Sequence, residues 1–362
     1  MKIALVCDWL TNVGGAERVI KSIHDLYPDA PIYTSQYNPK KIDWFKDADV
    51  RTGWLQIFPS GLRRFLAPLR QIYFNHLDLS EYDVIISITG AEAKSVKKGN
   101  AKHFCFCHVP TQYYWQLYDD YVKNPGFGVL NPLVRFFFKL FVKPLRKADY
   151  KAAQKPDYYI TISSYAQDMI KKYYHRDSVI IPPPVNIEKF LSKKTTPRSG
   201  FIITARQVSW KRHDLAIKAC LKTNSDLTII GEGPENANLH KLAAGSDHIH
   251  FYDLMTQDEL KSHLHSSSAF IFPSIEPFGI APVEALAAGC PVIALKQGAA
   301  PDFITEGKNG VFFKHQTVDS LVRAIKKFKK LKFDEQTVVK TSLDYSEKHF
   351  KERIKKYVKE NS

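Results

Sequence analysis

Short apolar runs recur along the chain and are separated by longer helix-like stretches. In the first half the runs lie at residues 3–6, 32–34, 84–88, 103–107, 158–162 and 179–181. Between them, residues 16–26, 62–76, 133–151 and 165–174 read as helices. Strands that alternate with helices predict a parallel sheet covered on both faces. The alternation restarts at 201–204 and continues through 227–230, 250–251, 269–272, 292–294 and 310–312. Pro182, Pro183 and Pro184 end the first series, and the polar, breaker-rich stretch from Lys193 to Gly200 reads as a linker. The pattern predicts an α/β protein of two doubly wound, Rossmann-like domains facing each other across a hinge near residue 190. The first domain is expected over 1–190 and the second over 191–345. In open sheets of this kind, ligands bind beyond the carboxyl ends of the strands.

Size agrees with two domains, since 362 residues exceed what one core usually holds. A net charge of +15 points to an anionic partner: nucleic acid, a membrane face or a phosphorylated ligand, with plain solubility as the alternative. The basic residues are spread through helices, and no nucleic-acid recognition module or repeated aromatic platform is present, so nucleic acid is not expected as a partner. Cys7, Cys105, Cys107, Cys220 and Cys290 fall in or beside apolar segments, as buried free thiols of a reducing compartment do. Around His103 and His108, a strand would turn Cys105 and Cys107 to one face and Phe104 and Phe106 to the other. No second ligand pair at zinc-like spacing accompanies them, so no metal site is expected. The first residues read as a buried strand, too short and too polar at the end for a signal peptide. No run of about twenty apolar residues exists to span a bilayer. The chain is expected in the cytoplasm.

The most informative segment runs from Pro273 to Glu284, with the sequence Pro-Ser-Ile-Glu-Pro-Phe-Gly-Ile-Ala-Pro-Val-Glu. It reads as the end of a strand, a loop, and a helix beginning near Ala281. The backbone amides of Phe278, Gly279 and Ile280 lie where a helix N-terminus leaves N–H groups unpaired, and such a terminus attracts anions. Glu276 stands before it and Glu284 after it. Like charges repel, so carboxylates do not suit phosphate alone. They suit a ligand that is phosphate in the middle and hydroxyl-rich at both ends, such as a nucleotide sugar.

Glu276, the seven intervening residues, Glu284 and the following Ala-Leu-Ala-Ala-Gly-Cys-Pro-Val-Ile-Ala resemble the family-four retaining glycosyltransferases of the GT-B fold. Trp9-Leu10-Thr11 with Gly14-Gly15-Ala16-Glu17-Arg18, and Tyr113–Tyr121 after His108, resemble its mannosyltransferase-type members. The resemblance implies that Glu276 holds hydroxyls of the transferred sugar and Glu284 those of the ribose. It also implies that the terminal helix, over about 346–362, packs back on the first domain.

Other motifs stand at strand ends. Gly14 and Gly15 follow the first strand and open the first helix; lacking a β-carbon, they let a ligand approach the backbone, and the resemblance makes them donor-binding, in a loop that lies against donor and acceptor. The three spaced glycines of a nicotinamide-binding fingerprint are absent. Arg206 and Lys211 follow the first strand of the second domain and suit a departing diphosphate, whose charge grows as the glycosidic bond breaks. The family has the same Arg-then-Lys pair. Gly231-Glu232-Gly233-Pro234 resembles its Gly-x-Gly-Pro loop, and reads equally as a tight turn or as a donor contact through Glu232. At Phe251-Tyr252-Asp253 the chain departs from the family's Phe-x-Gly; there the resemblance places a base contact at the backbone of Met255. His108 closes a first-domain strand, where it is a candidate to bind sugar or phosphate or to order the acceptor. Asp8, at the end of the first strand, is a candidate near the acceptor.

The resemblance implies transfer of a hexose with retention, in which the acceptor attacks from the face the diphosphate leaves. His108, Glu276, Arg206 and Lys211 are the expected catalytic set, with no cofactor and no essential metal. The expected donor is GDP-mannose, with a UDP-hexose or UDP-N-acetylhexosamine as the alternative. The acceptor is expected to be a glycan or a lipid-linked saccharide of a bacterial surface polysaccharide. An epimerase acting on nucleotide sugars is a further alternative on the same fold. Residues 133–147 and 61–70 combine basic and aromatic residues, which suits peripheral attachment to an anionic membrane on its cytoplasmic face. The competing reading makes them core-facing helices with charged outer faces.

Overall fold

The computed structural model describes residues 1–64, 66–123, 128, 131–191 and 197–362. Half of the expected linker, residues 193–196, lies outside the described residues. The chain forms two compact units, Met1–Pro184 with Phe350–Ser362, and Val185–His349.

The first unit contains β1 (Ile3–Cys7), α1 (Gly15–His24), β2 (Ile32–Thr34), β3 (Val50–Thr52), α2 (Ala67–His76), β4 (Val84–Thr89), β5 (Lys102–Cys107), α3 (Tyr118–Lys123), α4 (Asn131–Ala153), β6 (Tyr158–Thr161), α5 (Ser164–Tyr174) and β7 (Val179–Ile180). Its sheet has the order β3-β2-β1-β4-β5-β6-β7, and every pairing is parallel. The chain steps outward from β1 to β3 and then returns to place β4 beside β1. The second unit contains β8 (Ser199–Thr204), α6 (His213–Lys222), β9 (Leu227–Ile230), α7 (Asn236–Ala243), β10 (Ile249–Tyr252), α8 (Gln257–Ser266), β11 (Ser267–Phe272), α9 (Ile280–Ala287), β12 (Val292–Leu295), α10 (Ala300–Phe303), β13 (Gly310–Phe313), α11 (Val318–Phe328) and α12 (Glu335–Lys340). Its order, β10-β9-β8-β11-β12-β13, repeats the same reversal between β8 and β11. Both sheets are therefore doubly wound and parallel, as the alternation predicts.

Parallel strands covered on both faces are apolar throughout, and all of β4 is buried. β5 shows how one strand serves two layers. Cys105 and Cys107 pack with Ala153, Tyr159, Ile170 and Tyr174 beneath α4 and α5. Phe104 and Phe106 face the other way. There α13 (Glu347–Asn361), which belongs to the first unit from Phe350 onward, lays Phe350 edge-on to Phe106 and Tyr357 edge-on to Phe104. Among the described residues, no group of three or more His, Cys, Asp or Glu side chains is arranged to hold a metal.

Two elements differ from the sequence reading. β3 carries no apolar run: it is an edge strand whose Arg51 and Thr52 are exposed, so no hydrophobic signal marks it. The helix expected over 62–76 begins only at Ala67, because residues 60–64 form a 3-10 turn and Pro68 sits in the first turn of α2.

The first unit buries an unusual set of charges. Lys94 Nζ meets Asp149 Oδ1 at 2.7 Å, and both side chains are 1% exposed. Asp149 also accepts from Thr111 Oγ1 (2.9 Å), Trp115 Nε1 (2.7 Å) and Tyr174 Oη (2.9 Å). Burial opposes the charge on Lys94, but Asp149 outweighs it and holds the ammonium above its usual range. The loops after β4 and β5, α4 and α5 thus converge on one carboxylate. Nearby, Arg70 Nε donates to Glu92 at 2.9 Å, Tyr113 Oη donates to the other oxygen at 2.7 Å, and the guanidinium lies 4.9 Å from the Trp9 ring centroid.

Replacing Asp149 by asparagine leaves an uncompensated buried ammonium and is expected to destabilise the first unit by about 3–5 kcal/mol. Urea unfolding followed by tryptophan fluorescence measures it. Combining Lys94→Met with Asp149→Leu is expected to recover only part of that loss, because Thr111, Trp115 and Tyr174 then lack their acceptor.

Candidate active site

Parallel pairing sends every loop that follows a strand to the same edge of its sheet, and the reversal of strand order opens a crevice there. In the second unit that crevice lies between the loops after β8 and β11. Arg206, Lys211 and Glu276 stand on these two loops, and the structure brings two of them together. Lys211 Nζ lies 2.6 Å from Glu276 Oε2, with side chains 17% and 15% exposed. The ammonium also lies 4.6 Å from the Trp210 ring centroid. Arg206 is exposed, and its side chain makes no hydrogen bond or ion pair among the described residues.

Local packing explains the loop shapes. β8 is followed by a 3-10 turn over Ser209–Lys211, and Arg212 then takes a left-handed conformation (φ 57°) that starts α6. Arg212 grips Asp214 through two nitrogens, at 2.9 and 3.1 Å. His213 is buried at the first turn, and burial, reinforced by Lys211, lowers it to about 4. In the β11 loop, Ser274 Oγ donates to Glu276 Oε1 at 2.5 Å, and Ala299 N donates to the Glu276 carbonyl at 2.9 Å. Gly298 (φ 64°) allows that approach, since a β-carbon there would fall 2.7 Å from the Glu276 carbonyl oxygen. Gln316 Nε2 ties down the Pro273 carbonyl at 2.8 Å.

The helix predicted near Ala281 is α9, which begins at Ile280 behind Gly279. No side chain caps it, and the amides of Phe278, Gly279 and Ile280 donate to no acceptor among the described residues. Gly279 is required by packing: a β-carbon would meet Pro282 at 2.7 Å and Phe303 at 2.9 Å. Phe278 is buried against Phe303 and Tyr345. Glu284 lies in the second turn of α9 and is 8% exposed.

Glu232 and Met255 stand on the same edge but farther from the crevice, after β9 and β10. Glu232 is exposed and Met255 half-buried. Gly231 and Gly233 have a packing reason of their own. Their β-carbons would lie 2.4 Å from the Ala205 carbonyl and 2.3 Å from the Gln207 carbonyl. The β9 loop thus rests directly on the β8 loop, and Gln207 stitches the two with a 2.6 Å bond to the Gly231 carbonyl.

In the first unit, Asp8, Gly14, Gly15 and His108 follow β1 and β5. Asp8 is 7% exposed, and its carboxylate already accepts from Thr89 Oγ1 (2.9 and 2.8 Å), Gly90 N (3.0 Å) and Ala93 N (2.8 Å). Its oxygens latch the β1 and β4 ends together. In sequence a carboxylate at a strand end looks the same whether it faces a ligand or a neighbouring loop. Gly14 caps α1 in extended backbone (φ −163°), so its conformation does not demand glycine. Behind it Glu17 is buried, with Oε2 2.8 Å from where a Gly14 β-carbon would stand. That carboxylate sits at the α1 N-terminus and competes with an anion there. Gly15 is exposed. His108 donates its backbone N–H to the Thr89 carbonyl at 3.1 Å and stands edge-on to Phe106. Its Nε2 is buried without a partner among the described residues. Burial lowers the ring to about 4, with Asp8 opposing, so it is neutral at neutral pH.

Trp210, Ser274, Gly298 and Gln316 shape this region and escape sequence reasoning. Each is an ordinary residue type; Gly298 and Gln316 act on a loop distant in the chain, while Trp210 and Ser274 act on neighbours in their own loops.

Residues 185–356 match the family described as glycosyl transferases group 1. A GDP-mannose-dependent alpha-(1-6)-phosphatidylinositol monomannoside mannosyltransferase of Mycobacterium tuberculosis (strain CDC 1551 / Oshkosh) is 34% identical over 110 residues, 27% of this chain and 29% of that protein. A D-inositol 3-phosphate glycosyltransferase of Streptomyces bingchenggensis (strain BCW-1) is 43% identical over 77 residues, 20% of this chain and 17% of that protein. The chain spans less than a third of either relative. Among solved structures, the apo lipopolysaccharide outer core galactosyltransferase WaaB superposes with a TM-score of 0.73 at 17% identity over 100% of both chains. Anabaena HepE, solved in complex with UDP-glucose, gives 0.70 at 15% identity, covering 99% of this chain and 100% of that one. In fold the chain is a GT-B protein, and its second unit lies within a match to the group 1 glycosyl transferases.

Proposed function

We propose that the chain is a nucleotide-sugar-dependent glycosyltransferase that moves a hexose to a glycan or lipid-linked acceptor, with retention at the anomeric carbon. The carrying observation is the Lys211–Glu276 pair, held at the β8/β11 crevice beside the open N-terminus of α9. An ammonium has three donors, so Lys211 keeps donors for a diphosphate oxygen while one contact goes to Glu276. Each Glu276 oxygen accepts one bond from its own chain, from Ser274 or Lys211. The remaining lone pairs accept sugar hydroxyls. The α9 amides and Arg206 stabilise the charge that builds on the leaving diphosphate, and Glu284 binds the ribose. Met255 and Glu232 extend the donor site toward the base.

The first unit holds the acceptor in this reading, with His108 as a neutral hydrogen-bonding group and Gly14 and Gly15 lining the approach. No protein nucleophile takes part. The acceptor hydroxyl attacks from the side of the departing diphosphate, whose oxygen takes the proton, and the protein contributes orientation and fixed charge. GDP-mannose is the proposed donor, supported by the mannosyltransferase relative. Bacterial surface polysaccharide is the proposed product and the cytoplasm the proposed site of action.

A thermal-shift series with GDP-mannose, UDP-glucose, UDP-N-acetylglucosamine and their nucleoside diphosphates tests the donor. A ligand at one hundred times its Kd stabilises the folded form by about 2.7 kcal/mol. GDP-mannose is expected to raise Tm most. A larger rise with a UDP-sugar replaces the donor, and no rise with any of them removes the reading. An epimerised sugar without transfer assigns the epimerase instead.

Lys211→Ala and Glu284→Ala are each expected to lower kcat/KM for transfer by about 100-fold or more while circular dichroism stays native. Near-native turnover in both variants contradicts the site.

His108 titrates near 4 in the folded chain against 6.5 for an unperturbed imidazole. Its contribution to stability is complete above pH 6.5 and falls as pH drops toward 4, because the unfolded chain takes up the proton first. Urea midpoints of wild type and His108→Gln are expected to converge over that interval. The glutamine variant, neutral and able to hydrogen-bond, is expected to keep more transfer activity than His108→Ala.

A further inference from the structure

Among the described residues, α4 is attached to the first unit by one face. On that face Phe138 packs on Tyr118, and Arg135 donates to the Val122 and Lys123 carbonyls at 2.8 and 2.9 Å. Arg146 donates to the Tyr114 carbonyl at 2.6 Å and lies over the Trp115 and Tyr118 rings. Asp149 closes the buried network with Lys94. The opposite face should then be polar if it met only water. It is not. Leu133, Phe136, Phe137, Leu140 and Phe141 are 55%, 62%, 46%, 57% and 51% exposed. Their spacing is i, i+3, i+4, i+7, i+8, which is one continuous stripe of a helix. The described ring contacts of its phenylalanines are with one another, Phe136 on Phe137 and Phe137 on Phe141.

Charge says what covers this stripe. Lys139, Lys143 and Lys147 are exposed and repeat every four residues along one flank of it. The helix has one acidic residue, Asp149, and that is buried. A second copy of the chain docked antiparallel on the same stripe would set one lysine row against the other. A bilayer with anionic headgroups takes both features at once: the rings enter the headgroup–acyl boundary and the ammonium groups meet phosphates. Among the described residues no helix is long and apolar enough to cross a membrane, so contact is made by lying on the surface. The other basic-aromatic segment, residues 61–70, is described only in part. Its Arg70 is buried against Glu92, Leu66 and Ala67 are buried, and Phe65 lies outside the described residues.

We propose that the outward face of α4, residues 133–147, is a docking surface for an anionic lipid bilayer, lying in the plane of the interface. The surface is independent of which donor the second unit binds, and its test uses no donor. The full chain is sedimented with vesicles of phosphatidylcholine alone and of phosphatidylcholine mixed with phosphatidylglycerol. Binding is expected to the mixed vesicles and to weaken at high salt. Phe137→Ser, Leu140→Ser and Phe141→Ser combined, and separately Lys139→Glu, Lys143→Glu and Lys147→Glu combined, are each expected to weaken partitioning by at least about tenfold. Both sets lie on the unattached face, so Tm is expected to stay at the wild-type value. Slower backbone hydrogen exchange over 133–147 in the presence of mixed vesicles places the contact. Absence of binding by wild type, equal binding to both vesicle types, or wild-type binding by either variant overturns the proposal. So does a wild-type dimer in solution that the serine variant disperses.

Discussion

Parallel pairing is the constraint on which the candidate chemistry depends. Because all strands of a unit point one way, residues far apart in the chain reach one edge of the sheet. In the second unit that edge carries a cation from the β8 loop, a carboxylate from the β11 loop and the open amides of α9. The strand order reverses between β8 and β11, so the following helices leave toward opposite faces and their loops part. Glu276 and Lys211 meet across that parting. An antiparallel arrangement of the same strands would send half of these loops to the other end.

The two units handle charge differently. In the first, Arg70–Glu92 and Lys94–Asp149 are sealed inside, and each carboxylate takes several donors. Pairs of this kind gain little net stability, but losing one partner is costly, so they fix the loops they join. Asp8 does the same work at the end of β1. In the second unit Lys211 and Glu276 stay partly open to solvent. A pair with remaining lone pairs and donors can share its partners with a ligand, which a sealed pair cannot. The contrast fits a first unit whose candidate site is shaped by rigid loops and a second whose charges can engage an anionic donor.

α4 joins these themes to the surface. Its inner face carries its one acid, which the core uses, and its outer face carries rings and lysines that the core does not. The segment therefore reads as mixed in sequence, because two different faces are superimposed on one string of residues. The reading of a core-facing helix with a charged outer face is overturned by exposure: the outer face is apolar as well as charged. In 61–70, which has a similar basic-aromatic composition, Arg70 turns inward to Glu92.

The sequence alone determined the strand–helix alternation, the parallel sheets and the start of α9, because each follows from neighbouring residues: an apolar run for a buried strand, a glycine with a proline shortly after it for a helix start. β3 was not legible, since an exposed edge strand has no apolar run to show. The candidate residues of the second unit were legible as residue types at strand ends, but their pairing was not. Only the tertiary structure decided that Lys211 reaches Glu276, that Gly231 and Gly233 serve packing against the β8 loop, and that Asp8 is latched to Thr89 while His108 keeps an unpartnered nitrogen. The physical reason is range. Local patterns follow from adjacent side chains and backbone geometry, whereas the partner of a charge is set by which distant loop the sheet topology carries to it.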